Sequence, residues 1–151
     1  MRPGVRLGVD VGRVRVGVAR SDRDGLLATP VETVQRDGLD GLVARVRALV
    51  DELDAVEIVV GLPLSLSGAD TPSTQDAREV AEALAVVAPV RLVDERLSTV
   101  TAQAGMRQAG RSTRRQRAVI DQAAAVVILQ HALDAERSGR LPGMMVDHEE
   151  D

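Results

Sequence analysis

Three short β-rich runs open the chain, Val5 to Asp10, Arg15 to Ser21 and Leu26 to Val34, separated by Gly12 and by Asp24-Gly25. Turn formers between such runs predict a three-strand antiparallel meander. In the first run Val5, Leu7 and Val9 share one face while Gly8 and Asp10 share the other, because strand side chains alternate. The period then changes to that of a helix: Leu39, Leu42, Val43, Val46, Leu49, Val50 and Leu53 recur at i, i+3, i+4 and i+7. Glu57 to Gly61 is too short and too β-branched for a helix, and it runs into a polar loop, Pro63 to Pro72. Thr71 as N-cap and Pro72 at the first helical position start a second helix, with Ala77, Val80, Ala81, Leu84 and Val87 as its buried stripe. Val90 to Val93 is a last strand, ending in Asp94-Glu95-Arg96. A helix is expected from near Ser98 or Thr99 to Gly110, and another from Thr113, where Gln116 completes a capping box, to about Arg137.

This order predicts an α/β fold. Its core is a mixed five-stranded sheet, a three-strand antiparallel meander plus two parallel strands reached by right-handed βαβ crossovers, flanked by helices. Residues 1–137 form the expected domain. Residues 138–151, with Gly139, Pro142, Gly143 and an acidic end, read as a disordered tail. At 151 residues the chain suits one core, burying roughly 68–70% of the surface its unfolded form exposes. The chain shows neither an apolar run of membrane-spanning length nor a basic-then-apolar leader, so a soluble, cytoplasmic protein with no membrane partner is expected.

Composition narrows the chemistry. Cysteine is absent, so any metal must sit on oxygen or on the two histidines, His131 and His148, which favours Mg2+ or Mn2+. The chain has no Phe, Tyr or Trp and all 19 of its Lys and Arg residues are arginine, so a nucleic acid would be held by arginine, polar groups and backbone amides, not by base stacking. The net charge of −4 equals the contribution of Asp147, Glu149, Glu150 and Asp151 alone. Within the neutral remainder Arg107, Arg111, Arg114, Arg115 and Arg117 crowd a stretch without an acid, either a phosphate-attracting patch or a solvated helix end.

Three acidic positions stand out. Asp121 interrupts the apolar run Ala118 to Leu129, and a buried carboxylate must be paired, protonated or metal-bound. Arg117, one turn earlier, is the simplest partner. Asp10 ends the first strand between Gly8 and Gly12, as a metal-site residue with room around it or as a turn residue. Asp94 and Glu95 end the last strand at its carboxyl edge, where ligands of open α/β sheets collect, unless they only cap the next helix. If the first and last strands are neighbours, Asp10 meets the 94/95 pair, and the small residues Ala123, Ala124 and Ala125 let the last helix bring Asp121 over the same edge. Three carboxylates so placed suit two-metal phosphodiester hydrolysis.

The strings Leu7-Gly-Val-Asp-Val-Gly with Arg15, Gly17, Val18, Ala19 and Ser21-Asp22, then Val60-Gly-Leu-Pro-Leu with Gly68, then Asp94-Glu-Arg-Leu-Ser-Thr and Ile120-Asp-Gln-Ala-Ala-Ala-Val-Val-Ile-Leu-Gln resemble, in order, the motifs of the YqgF family, also called RuvX. The resemblance spans about residues 5 to 134. It implies an RNase H-like fold of the Holliday-junction resolvase type and a cytoplasmic nuclease in maturation of the 5′ end of pre-16S rRNA. It carries catalytic and metal-binding roles onto Asp10, Glu95 and Asp121, with Asp94 as the substitute for Glu95. Arg15, Arg96, Arg107, Arg111, Arg114, Arg115 and Arg117 would then hold phosphates of structured RNA or branched DNA.

The chain departs from the family pattern in four places. Arg13 and Val14 replace a usual Thr-Lys, Ser65 and Ser67 a usual Asn and Asp, Ala124 a fourth carboxylate common in related resolvases, and Ser98 a Thr. Competing readings are a Holliday junction resolvase in DNA recombination and repair, which needs a two-fold homodimer, and a nucleic-acid-binding domain without catalysis. A sugar-kinase-like phosphotransferase is disfavoured by size and by the lack of a P-loop and of lysine.

Overall fold

The computed structural model describes residues 2–95, 114–140 and 143–146. In chain order the elements are β1 (Val5–Val11), β2 (Arg15–Ser21), β3 (Ala28–Gln35), α1 (Leu39–Leu53), β4 (Ala55–Leu62), α2 (Pro72–Leu84), β5 (Val90–Asp94), α3 (Arg114–Arg137) and β6 (Met144–Met145). One mixed sheet takes the order β3-β2-β1-β4-β5-β6. Its β1–β2, β2–β3 and β5–β6 pairs are antiparallel and its β1–β4 and β4–β5 pairs parallel. The helix expected between Ser98 and Gly110, the Thr113 cap, and Arg96, Arg107 and Arg111 lie outside the described residues. So do the side chains of Arg114 and Arg115, which open α3.

Two expectations need correction. The sheet has six strands rather than five, because Met144–Met145 pairs with Leu92 and Arg91 inside the segment expected to be a tail. The Val146 amide also donates to the Val90 carbonyl at 2.8 Å, and Val146 packs on the core. This return requires Gly143: its φ is 72°, and a Cβ there would stand 1.8 Å from the Leu92 carbonyl oxygen. The third strand begins at Ala28 rather than Leu26. The Asp22 carboxylate accepts from the amides of Leu26 and Leu27 at 2.8 and 2.9 Å, which holds both in a turn before the ladder starts.

Alternation along the strands sorts the core into two layers. Leu7 and Val9, Val16 and Val18, and Ile58 and Val60 face α1 and α2, meeting Leu42, Val46, Leu49, Val80, Ala81 and Leu84. Thr71 caps α2 as expected, and a reciprocal bond between the Thr74 side chain and the Thr71 amide completes a capping box. The opposite face receives α3, whose Ala125, Ile128, Leu129, Ala132 and Leu133 cover Ala19, Val59 and Val93. By length and composition alone Gln116–Arg137 could cross a membrane, yet this helix lays its buried face on the sheet. Three glycines make the approach close. A Cβ on Gly8 would lie 2.7 Å from Leu129 Cβ, on Gly17 2.0 Å from the Asp121 carbonyl oxygen, and on Gly61 2.6 Å from Ile128 Cδ1.

At its carboxyl end α3 is fastened by ions. Arg6 is 1% exposed. It donates through Nη2 to Glu136 at 3.0 Å and through Nη1 to the Gly4 carbonyl at 2.9 Å. Arg2 bridges Glu136 and Glu57, and Arg91 reaches Glu57 from β5 at 3.4 Å.

Candidate active site

The strand pleat decides which acids can meet. Gly8 and Asp10 on β1, Arg15 and Gly17 on β2, and Val59 and Gly61 on β4 all face α3, because Leu7, Val9, Val16, Val18 and Val60 face the other way. On β5, Val93 faces α3. Glu95, two residues later, follows it, whereas Asp94 has the opposite parity. The Glu95 amide donates to the Leu62 carbonyl at 3.2 Å, so the ladder geometry continues just past the strand.

β1 and β5 are not neighbours, contrary to the condition set for Asp10 to meet the 94/95 pair. β4 runs between them, and its contribution to this row is Gly61, which has no side chain. The Glu95 carboxyl lies over that gap, 2.9 Å from where a Gly61 Cβ would stand. There it hydrogen-bonds Asp10. Burial pushes the Asp10 carboxyl up to about 8, helped by the charges of Glu95 and Asp121 and by that hydrogen bond. The Asp10 carboxyl, raised in this way, is the group that brings the proton to its hydrogen bond with Glu95. Glu95 itself is buried.

Asp121 arrives from α3 at the same edge, and its partner is not the expected Arg117, which is exposed. Arg15 Nε donates to Asp121 Oδ2 at 2.7 Å, with both side chains about one-fifth exposed. Arg15 was expected to hold phosphate, and the structure places it on the third acid. Among the described residues no three acids or histidines are gathered closely enough to close round a single ion. Asp10 and Glu95 face each other, and Asp121 is turned to Arg15.

Thr33 had no signal in the pattern of the chain. From β3 its hydroxyl donates to the Ala118 carbonyl at 2.8 Å and accepts from Gln122 Nε2 at 3.1 Å, which fixes the turn of α3 that carries Asp121. Gly17 does the same by contact, since the Asp121 backbone rests on it. Gly17→Ala should therefore destabilise the fold by about 1–3 kcal/mol and shift Asp121 away from Asp10. Urea unfolding and single-turnover cleavage measured together test this. Unchanged values of both would mean that the helix does not need this contact.

Comparisons with known proteins agree on the family and the fold and differ in the nucleic acid that they name. The family model RuvX, described as Holliday junction resolvase, matches residues 4–135. A protein of Leifsonia xyli named "Putative pre-16S rRNA nuclease" is 58% identical over 97% of both chains, and a Streptomyces coelicolor protein of the same name is 53% identical over 97% of this chain and 90% of its own. Among solved structures, RuvC of T. thermophilus in complex with a Holliday junction substrate superposes with a TM-score of 0.62 at 16% identity, over 93% of this chain and 99% of that one, a likeness of fold. The RuvX match over residues 4–135 and relatives alike over nearly the whole chain carry one conclusion: this chain belongs to the RuvX family of nucleases, with a sheet and helix arrangement like that of RuvC.

Proposed function

We propose that Asp10, Glu95 and Asp121 form the nuclease site, that they act with Mg2+ or Mn2+, and that the substrate is structured RNA at the 5′ end of pre-16S rRNA, processed in the cytoplasm. The observation that carries the site is the convergence of three acids from β1, the end of β5 and α3 on one sheet edge, two of them hydrogen-bonded to each other and the third held by Arg15. The substrate rests on the names of relatives that are 51–58% identical over nearly the whole chain.

The donor set suits a hard cation. All three groups are carboxylates, and the proton between Asp10 and Glu95 occupies a place where positive charge is needed. Asp10, Glu95 and Asp121 would be the residues that hold the metal, Asp121 being paired with Arg15 in its absence. A pair of such ions activates water and stabilises the leaving oxygen in phosphodiester hydrolysis. The chain's own part is to keep the acids in register: the pleat aims Asp10 and Glu95, Gly61 leaves the gap they share, and Gly17 with Thr33 seats Asp121. Arg15 stands at the same edge, where its guanidinium would suit a phosphate oxygen as well as the Asp121 carboxylate.

A side-by-side cleavage assay tests the reading. A pre-16S 5′ fragment and a four-way DNA junction are each incubated with the protein and Mg2+, Mn2+ or EDTA, and the native mass is measured in the same buffer. RNA cutting that depends on the metal is expected. Paired, symmetric nicks in the junction made by a homodimer, with the RNA untouched, would replace this substrate with branched DNA. Binding without cutting of either would leave a non-catalytic nucleic-acid-binding domain.

A further inference from the structure

An open cavity of about 390 Å3 lies beside the Gly12 turn, between the first residues of α1 and those of α2. Arg36 frames it. Its Nη1 donates to the Gly12 carbonyl at 2.9 Å, and its two Nη atoms grip the Asp76 carboxylate at 2.6 and 3.0 Å. That pair ties the turn after β1 to α2 and cancels its own charge. Arg13 on the same wall is different: it is exposed and has no ion pair or hydrogen bond to any described residue. Among the lining residues one positive charge is therefore left uncompensated.

A second property of the cavity favours an anion. α1 begins at Gly38, in the left-handed region at φ 84°, with no side chain bonded to its first amides. Those amides have no capping side chain, and they bring the positive end of a helix of 15 residues to the wall that carries Arg13, with Asp40 in the same first turn offsetting part of it. The first turn of α2 is closed by Thr71 and Thr74, so α2 contributes Ser73 at the rim rather than an open helix end.

Arg13 is three residues from Asp10, which keeps their Cα atoms within about 11 Å at one end of the sheet, the Asp10 side chain facing α3 and the cavity opening on the side of α1 and α2. At roughly 3.4 Å of rise per nucleotide, a strand cut at Asp10 would present another phosphate here within about three nucleotides.

We propose that this cavity is a second phosphate subsite, in which Arg13 holds a backbone phosphodiester of the substrate strand about three nucleotides from the bond being cut. The inference rests on the nuclease reading for the identity of its ligand, and its test is made on binding, so the two can fail separately.

The full-length chain carrying Asp10→Asn is titrated into a fluorescein-labelled pre-16S 5′ fragment and, separately, a four-way DNA junction, from about 50 to about 200 mM salt, with inorganic phosphate as competitor. Adding Arg13→Gln should weaken binding roughly three- to tenfold and reduce the slope of log affinity against log salt by about one. Arg13→Lys should keep the slope, and Arg47→Gln, which removes an exposed arginine of α1 outside the cavity, should leave it unchanged. An unchanged slope with Arg13→Gln, or an equal loss with Arg47→Gln, overturns the subsite. So does an Arg13-dependent site for inorganic phosphate with no effect on nucleic-acid binding. Cutting by the parent together with an unchanged Arg13 slope would sink the subsite alone. An Arg13-dependent slope without cutting keeps the subsite and sinks the nuclease reading.

Discussion

Asp10→Asn is expected to abolish cleavage and, in metal-free buffer at pH 8, to leave the protein more stable than the parent. The Asp10 carboxyl is pushed up to about 8 in the fold, by burial first and then by the charges of Glu95 and Asp121. An unfolded chain releases that proton near pH 4. Between about pH 4 and pH 8 the folded state thus binds one proton more than the unfolded state, and stability falls by about 1.4 kcal/mol for each pH unit. The contribution is fully present below pH 4 and lost as pH rises through 8. Asparagine has nearly the same size, does not titrate, and offers Glu95 an amide donor in place of the shared proton.

The variant's advantage should therefore be small at pH 5 and grow to a few kcal/mol at pH 8, read as urea midpoints in EDTA. Mg2+ or Mn2+ should raise the parent's midpoint at pH 8 and leave the variant's nearly unmoved, because a cation that displaces the proton needs the carboxylate. Destabilisation of the variant at both pH values would show that Asp10 is an ordinary structural carboxylate. An acid retained at a stability cost fits a site kept for chemistry.

Glu136→Ala is expected to cost about 3–5 kcal/mol, or about 10 °C in Tm, although Glu136 lies at the far end of α3 from the acids. Arg6 is the reason. Its guanidinium is buried, its Nε already lacks a hydrogen-bond partner among the described residues, and without Glu136 its remaining bond is the one to the Gly4 carbonyl. Arg2 would also lose one of its two acids, keeping Glu57 at 3.1 and 3.2 Å. An unpaired buried cation is far more costly than a well-packed apolar replacement of the pair. Arg6→Met with Glu136→Leu should consequently recover most of the loss, giving a strongly non-additive double-mutant cycle. A loss below about 1 kcal/mol for Glu136→Ala would mean that water reaches Arg6 once the acid is gone.

The first prediction concerns the sheet edge beneath the start of α3 and the second the far end of that helix, and the two places differ in how far the sequence revealed them. The acids were visible because a carboxylate inside Ala118 to Leu129 violates the apolar pattern and because Asp10 sits among glycines. The Arg6–Glu136 pair was not visible. Its members are 130 positions apart, and each alone reads as an ordinary charged residue.

Local pattern by itself determined β2 and α1 to the residue, the Thr71-Pro72 start of α2, the meander and the family motifs, because alternation, helical period and capping are properties of neighbours along the chain. Contacts between distant segments were decided by tertiary structure alone. Only the sheet order put β4 between β1 and β5 and made Gly61 the gap through which Asp10 and Glu95 meet. Only the pleat beyond β5 turned Glu95, rather than Asp94, toward Asp10. Only the packing of α3 gave Asp121 to Arg15 instead of Arg117, since Gly17 lets the helix backbone settle where the β2 arginine can reach it. Spacing along a strand or helix tells which face a residue takes, but which faces meet depends on where the chain returns.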